Sequence, residues 1–250
     1  MSQANLRSRL RPKGSIGTLV SKALQLWLRS QVEQIDRLDI EISGRNRDIL
    51  SGYIPSVSVF ADRAVYRGLH LSQMALFGEN VRVNLWQILK GQPLRLLDPI
   101  PVTIELQLSE ADLSASVAKS ALLQNALRDL FRNVLPDTVE FELARVYIRG
   151  EALVIAFEGE AACSPSQVST EQQHCEIMRL STRVSVADEN RLEFADLRLE
   201  IERTPQLQDR QTLEFSTVFV PFDSQIELTE LTLNDGQFSC CGRLLVRGDD

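Results

Sequence analysis

Hydrophobic residues near the start of the chain recur at spacings of three and four. This spacing is typical of the apolar face of an amphipathic helix. The residues with this spacing are Ile16, Leu19, Val20, Ala23, Leu24, Trp27, Val32 and Ile35. The pattern predicts a helix that starts at Ser15 and ends near Ile35. Residues 1–14 are polar and basic, and we expect them to form a mobile tail outside any core.

After this helix the pattern changes to alternation, as a strand that is buried on one face requires. Leu38, Ile40 and Ile42 alternate with polar residues. Further stretches of this kind are punctuated by glycine and proline, which predicts antiparallel strands on short turns. These stretches are residues 57–61, 64–72 and 81–85.

A second change of period occurs in the middle of the chain. A Pro-rich corner at residues 93–101 precedes a strand whose apolar face carries Val102, Ile104, Leu106 and Leu108. Ser109 and Asp112 then have the spacing of a helix-capping box. An apolar stripe to Phe131 predicts a central helix, with a break near Lys119.

The remainder of the chain reads as strands. The predicted strands are residues 139–149, 152–162, 177–187, 192–203, 213–220, 225–233 and 238–246. Apolar positions switch parity within several of them, for example near Ala195. Two explanations are open: β-bulges that curve the sheet, or additional turns.

These patterns together predict an α+β fold in a single domain over residues 15–250. We expect a strongly curved, mostly antiparallel β-sheet or an elongated barrel-like structure. An N-terminal helix and a central helix would pack against it.

Charge is distributed unevenly along the chain. The net charge is −7, which argues against a general nucleic-acid binder, because phosphate contacts need a positive field. Residues 1–32, however, carry +6 and no acidic residue. This asymmetry predicts an anionic membrane surface as a partner, contacted by Arg7, Arg9, Arg11 and Lys13. The alternative is a solvated tail and a helix that only packs on the sheet.

The cysteines and the apolar runs suggest a location. The four cysteines form no C-x-x-C pair, which argues against a zinc site. Reduced thiols are favoured, although a disulfide between Cys163 and Cys175 stays open. The longest apolar run, Ala152 to Phe157, is too short to span a bilayer, and the basic start lacks the apolar run of a signal peptide. We expect a retained N-terminus and a cytoplasmic or peripheral membrane protein.

Enzyme signatures are missing from the sequence. No two glycines are two, four or five residues apart, which excludes the phosphate-binding and nucleophile-elbow motifs. The two histidines, His70 and His174, are far apart, and the carboxylates on strand faces read as solvated charge. We therefore predict no catalytic residue, no metal, no cofactor and no enzymatic activity.

Three segments carry a resemblance to a known family. They are LQLWLRSQVEQIDRLDIEISG, ILSGYIPSVSVFADRAVYRGLHLSQ and VRVNLWQILKGQPLRLLDPIPVTIELQL, and the likeness continues through SEADLSASVAKSALL to LTLNDGQFSCCGRLLV. The chain resembles the LmeA-like phospholipid-binding family and is similar to tubular lipid-binding proteins. The resemblance implies phospholipid binding by an elongated β-structure with an apolar interior.

On that basis we expect acyl chains to contact inward-facing positions of this sequence. The strand positions are Leu38, Ile40, Ile42, Val57, Val59, Val102, Ile104 and Leu106, and the first helix adds Leu19, Ala23 and Trp27. For any single strand residue ordinary core packing is the favoured interpretation, and the helix residues are equally suited to core packing.

The resulting hypothesis is non-enzymatic binding, with or without transfer, of phospholipid or another acyl lipid in an apolar groove at a membrane surface. A protein-interaction or scaffold module with a fully packed core is the main alternative, and its protein partner is unknown. A lipid hydrolase is a third option, but the sequence offers no nucleophile for it.

Overall fold

The structure of the protein, a computed structural model, describes a defined part of the chain. The described residues are 15–131, 144–160, 175–188, 191–203, 210–221, 226–234 and 236–247. The basic tail at residues 1–14 and Cys163 lie outside them. The predictions of a tail–membrane contact and of the state of the Cys163 thiol therefore stay predictions.

Strands outnumber helices in the described residues. The helices are α1 (Ser15–Gln31), α2 (Asn46–Leu50), α3 (Leu85–Ile88), α4 (Glu110–Lys119) and α5 (Ala121–Phe131). The strands are β1 (Gln34–Ser43), β2 (Tyr53–Tyr66), β3 (Leu69–Arg82), β4 (Ile100–Ser109), β5 (Arg145–Arg149), β6 (Ala152–Glu160), β7 (Cys175–Asp188), β8 (Arg191–Arg203), β9 (Arg210–Phe215), β10 (Val218–Pro221), β11 (Ile226–Asn234) and β12 (Gln237–Val246).

The strands form two sheets, ordered β1-β2-β3-β4-β12-β11 and β10-β8-β7-β6-β5, and β9 also pairs with β8. The pairing is mostly antiparallel, as between β1 and β2. The predicted α+β class is therefore confirmed. Within the described residues neither sheet closes into a barrel, so the open form is the one observed.

The chain divides into two compact units. The first comprises the described residues within Met1–Tyr66, Gln73–Leu106 and Cys241–Asp250, and the second those within Arg67–Ser72 and Gln107–Cys240. Each unit has its own cluster of buried hydrophobic residues. A single domain over residues 15–250 remains a prediction.

The first helix is shorter than the sequence pattern predicts. It ends at Gln31, and β1 already begins at Gln34, which pairs with Val65 of β2. Ile35 was predicted to end the helix but pairs with Ala64 in the sheet. The spacing of three between Val32 and Ile35 fits a helix, but the pairing with β2 places Ile35 in the sheet.

The stretch between residues 57 and 85 also differs from its prediction. Residues 57–61 lie within β2, which runs without interruption to Tyr66. The predicted strand at residues 64–72 is wrong, because it contains the turn at Arg67 and Gly68 and so covers the end of β2 and the start of β3. The third predicted strand ends early: β3 stops at Arg82, and Leu85 begins the short helix α3.

The central helical region follows the prediction closely. Ser109 caps α4 through the main-chain N–H of Asp112, and the Asp112 side chain accepts from the Ser109 N–H, which completes the capping box. The helix breaks at Ser120, one residue after the predicted position, and α5 continues to Phe131.

A β-bulge in β8 organises the second unit. Ser181 of β7 pairs with Arg198, but Arg183 pairs with Ala195, so β8 carries one extra residue there. Asp196 has a positive φ of 52° at this point. The bulge that the parity switch near Ala195 predicted is thus confirmed.

The same bulge explains why the predicted strand at residues 213–220 is wrong. The segment is divided into β9, which pairs with β8 beyond the bulge, and β10, which pairs before it. Phe215 lies opposite Leu197 and Val218 opposite Phe194. The irregular segment of β8 therefore faces a break in the partner strand.

Candidate functional site

Helix α1 presents the apolar face that its sequence predicts. Val20 is fully buried and Leu24 is nearly so, while Ala23, Trp27 and Leu28 are half-buried against the same cluster. Their spacings of three and four place them on one side of the helix. The helix contacts β1 and α2 of the first unit.

The residues of β1 and β2 that are predicted to touch lipid share one face of this strand pair. Ile40 lies directly opposite Val59, and Ile42 opposite Val57. All four are buried, and Leu38 at the end of this row is half-buried. Side chains of directly opposed residues in antiparallel strands point to the same face, so these residues form a continuous aliphatic surface.

Residues from β3, β4 and the neighbouring loops complete the cluster, which we call the α1 layer. Its buried members are Val20, Leu24, Ile40, Ile42, Ile49, Ile54, Val57, Val59, Val81, Val83, Leu85, Leu94, Ile100 and Val102. The packing is close around Gly78, since a Cβ atom added there would lie 3.3 Å from a methyl group of Val57 and within 4 Å of Val81 and Ile100. Every buried member is aliphatic, so the α1 layer offers dispersion contacts but no hydrogen bond from its side chains.

The edge of the α1 layer is open to solvent. Apolar residues that pack against it while remaining half-buried are Ala23, Trp27, Leu28, Leu38, Leu76, Ile88, Leu96 and Val246. We call this set the rim. An apolar rim leaves hydrocarbon surface in contact with water, and covering such surface with another apolar group is favourable.

The predicted lipid-binding residues are therefore largely brought together. Ala23, Trp27, Leu38, Ile40, Ile42, Val57, Val59 and Val102 belong to the α1 layer or its rim. Ile104 and Leu106 are half-buried on β4 and are not members of that cluster. The Leu19 side chain lies outside the described residues, and contact of any of these residues with lipid remains a prediction.

Sequence reasoning missed the loop between β3 and β4. Ile88 and Leu96 of this loop belong to the rim, whereas Trp86 and Leu89 are exposed to solvent. The signal was present in the run Leu85 to Leu89, where apolar residues occur at four of five positions. The predicted strand at residues 81–85 ends at the first residue of this run, and periodicity alone does not distinguish a short apolar helix from a short strand.

The main chain of His70 and the side chain of Ser72, both on β3, are hydrogen-bonded to helix α4. Ser72 Oγ donates to Asp112 Oδ2, Ser109 Oγ donates to the same oxygen at 2.7 Å, and the His70 N–H donates to Ser116 Oγ at 2.8 Å. The serine hydroxyls point their protons at the carboxylate, which caps α4. This arrangement ties the start of α4 to β3.

The same hydrogen bonds tune Asp112. Burial acts to raise the pKa of its carboxyl group, but the hydrogen bonds from Ser72 and Ser109 and the charge of His70 together hold the pKa below its ordinary value of 3.8. The ionised form is therefore the one that the fold stabilises.

The second unit contains a cleft of about 470 Å³. It is lined by the β7–β8 hairpin, Glu151 and residues 231–234, and none of the predicted lipid-binding residues lines it. Its charged residues are Glu151, Glu193 and Arg183, and the Arg183 guanidinium is already paired with Asp196. The remaining negative charge disfavours an anionic phospholipid headgroup at this cleft.

The described residues contain neither a metal-ligand cluster nor a membrane-spanning helix. In that part of the chain no group of three or more His, Cys, Asp or Glu side chains is arranged to hold a metal ion. No helix among the same residues is long and apolar enough to cross a membrane.

Comparison with known proteins agrees with the resemblance found in the sequence. A family model described as LmeA-like phospholipid-binding matches residues 14–243. The match covers nearly the whole chain after the basic tail, so the family resemblance is confirmed. No curated protein and no solved structure matches the chain.

The Asp112 network makes a testable contribution to stability. A carboxyl group whose folded pKa is lowered stabilises the protein above its unfolded pKa, and this stabilisation is lost as pH falls through the folded pKa. We expect Asp112→Asn to lower the free energy of unfolding by about 1 kcal/mol near pH 7. The difference from wild type should shrink below pH 3.8, the ordinary pKa.

Urea unfolding followed by circular dichroism at about pH 7 and about pH 3 measures this difference. Ser72→Ala removes the two hydrogen bonds of Ser72 Oγ, one donated to Asp112 and one accepted from the Ser109 N–H. It keeps the carboxylate and its hydrogen bonds with Ser109, so it should show a smaller change of the same sign. An Asp112→Asn penalty that is equal at both pH values would show that the ionised carboxylate is not the stabilising form.

Proposed function

The chain belongs to the LmeA-like phospholipid-binding family, and from this premise we propose that it binds phospholipid acyl chains along the rim of the α1 layer, without chemical conversion of the lipid. The observation that supports this assignment is the half-buried apolar rim around a wholly aliphatic cluster. A sealed core would bury these side chains, whereas a lipid site must leave them accessible to its ligand.

The energetics favour this place over a polar one. Each methylene that leaves water gains about 0.8 kcal/mol, so eight methylenes covering the rim would gain on the order of 6 kcal/mol before ordering costs. The close packing of the buried members Val57, Val81 and Ile100 around Gly78 favours the half-buried rim as the binding surface rather than the buried part of the layer. Half-buried Trp27 and Leu38 would then be among the first residues to contact an acyl chain.

Matched leucine substitutions, one in the rim and one in the second unit, test the location of the lipid site. Leu38 packs half-buried against the α1 layer, and Leu213 packs half-buried against the cluster of the second unit. Loss of one leucine contact with an acyl chain costs about 1.5 kcal/mol, so Leu38→Asn should weaken phospholipid binding roughly tenfold. Leu213→Asn should leave binding unchanged.

Native mass spectrometry of delipidated protein titrated with phosphatidylcholine measures the bound fraction, and thermal unfolding shows whether the two variants are comparably folded. Equal loss of binding in both variants would place the site elsewhere. Wild-type protein that takes up no lipid would support the alternative of a packed protein-interaction module.

Trp27 provides a direct probe of contact with the ligand. The chain contains two tryptophans, so Trp86→Phe leaves Trp27 as the only one. Bromine atoms on an acyl chain quench tryptophan at short range, and we therefore expect phosphatidylcholine with brominated chains to quench Trp27 fluorescence. The unbrominated lipid is the control, and equal fluorescence with both lipids would contradict binding at the rim.

A further inference from the structure

The loop between β3 and β4 carries two sets of apolar side chains, one buried and one exposed to solvent. We call residues 82–98 the 82–98 segment. On its inner side Leu85 and Leu94 are buried in the α1 layer, and Ile88 and Leu96 join its rim. On its outer side large apolar side chains are exposed: Trp86 by 66%, Leu89 by 48% and Leu97 by 60%.

The geometry of α3 creates the outer face. Trp86 and Leu89 are three residues apart and are therefore neighbours on the surface of this turn. Both are exposed, whereas Leu85 is buried and Ile88 is half-buried. Leu97 belongs to the returning half of the segment, where its N–H donates to the carbonyl of Arg82 at 2.9 Å. The three exposed side chains thus belong to one short excursion of the chain.

This excursion is held firmly. The buried Asn84 side chain donates to the Pro93 carbonyl at 2.9 Å and to Gln87 Oε1 at 2.8 Å. Its Oδ1 accepts from the Arg95 N–H at 2.7 Å. The segment is closed at its base by a bridge between Val83 and Leu96. These bonds fix the backbone of the segment. The exposed apolar side chains therefore project from a fixed backbone and are a constant feature of the surface.

Charge around the apolar residues selects the partner. The 82–98 segment contains Arg82, Lys90 and Arg95 and one acid, Asp98, in a chain whose net charge is −7. All four of these side chains are exposed. Exposed tryptophan and leucine beside basic residues suit the interface of an anionic bilayer, where the indole ring lies at headgroup depth and the cations meet lipid phosphates.

We propose that the outer face of the 82–98 segment, formed by Trp86, Leu89 and Leu97 with Lys90 and Arg95, is the surface that docks this protein onto an anionic phospholipid bilayer. The inference rests on the proposed function, because the rim residues Ile88 and Leu96 on the inner side connect the docked face to the site for acyl chains. A lipid leaving the bilayer would then reach the rim next to the point of attachment.

Vesicle flotation with the full chain tests the docking surface. The vesicles are of phosphatidylcholine alone or of phosphatidylcholine mixed with phosphatidylglycerol. We expect wild-type protein to float with the anionic vesicles, and the double variant Trp86→Ser with Leu89→Ser to lose at least about tenfold of this binding. Lys90→Gln should weaken binding to anionic vesicles about fivefold and leave binding to neutral vesicles unaltered.

Phe219→Ser is the matched control, since Phe219 is an aromatic residue of the second unit that is exposed by 50%. It should float like wild type. Equal flotation of wild type and the double variant, or absence of wild-type flotation, would overturn the proposal and leave a protein as the partner of this face.

A second measurement separates docking from the lipid site. Uptake of a short-chain phosphatidylcholine below its micellar concentration requires no bilayer, so the double variant should bind this lipid as wild type does. Loss of both activities would assign Trp86 and Leu89 to the acyl site and overturn a separate docking role. Vesicle flotation by wild type without uptake of the short-chain lipid would instead contradict the proposed function and leave the docking surface in place.

Discussion

Burial of aliphatic side chains beneath α1 is the interaction on which the rest of the first unit depends. The helix has an apolar face, and β1 and β2 present a matching row in which Ile40 and Ile42 lie opposite Val59 and Val57. Neither surface is stable in water alone, so each requires the other. The layer that results is chemically uniform, and this uniformity makes the same residues suitable for packing against one another and against hydrocarbon chains.

Much of this architecture is encoded locally and could be read from the sequence. Alternation predicted β1 and β4, the capping residues Ser109 and Asp112 predicted the start of α4, and the parity switch near Ala195 predicted the bulge in β8. Each of these signals lies within a short stretch of neighbouring residues. Predictions failed where a partner far along the chain decides, as at Ile35, whose pairing with Ala64 ends the helical pattern.

The candidate site was predictable in composition but not in extent. Alternation identified Ile40, Val57 and Val102 as inward-facing, because the period of a strand fixes which side chains share a face. It could not show that Ile104 and Leu106 lie outside the cluster, since that depends on where neighbouring elements cover β4. The rim could not be predicted either, because the sequence does not distinguish a half-buried leucine from a fully buried one.

The 82–98 segment shows how structure adds a functional argument that composition cannot supply. A loop that had only to connect β3 to β4 would have no need for large apolar side chains on its solvent side, and a loop that needed stability would bury them. Here Asn84 and the buried leucines already fix the backbone, so exposure of Trp86 and Leu89 contributes nothing to the fold. Natural sequences depart from such local consistency mainly at functional sites. The departure lies on the same loop that supplies Ile88 and Leu96 to the rim, so one short element would serve both the proposed bilayer-docking surface and the proposed site for acyl chains.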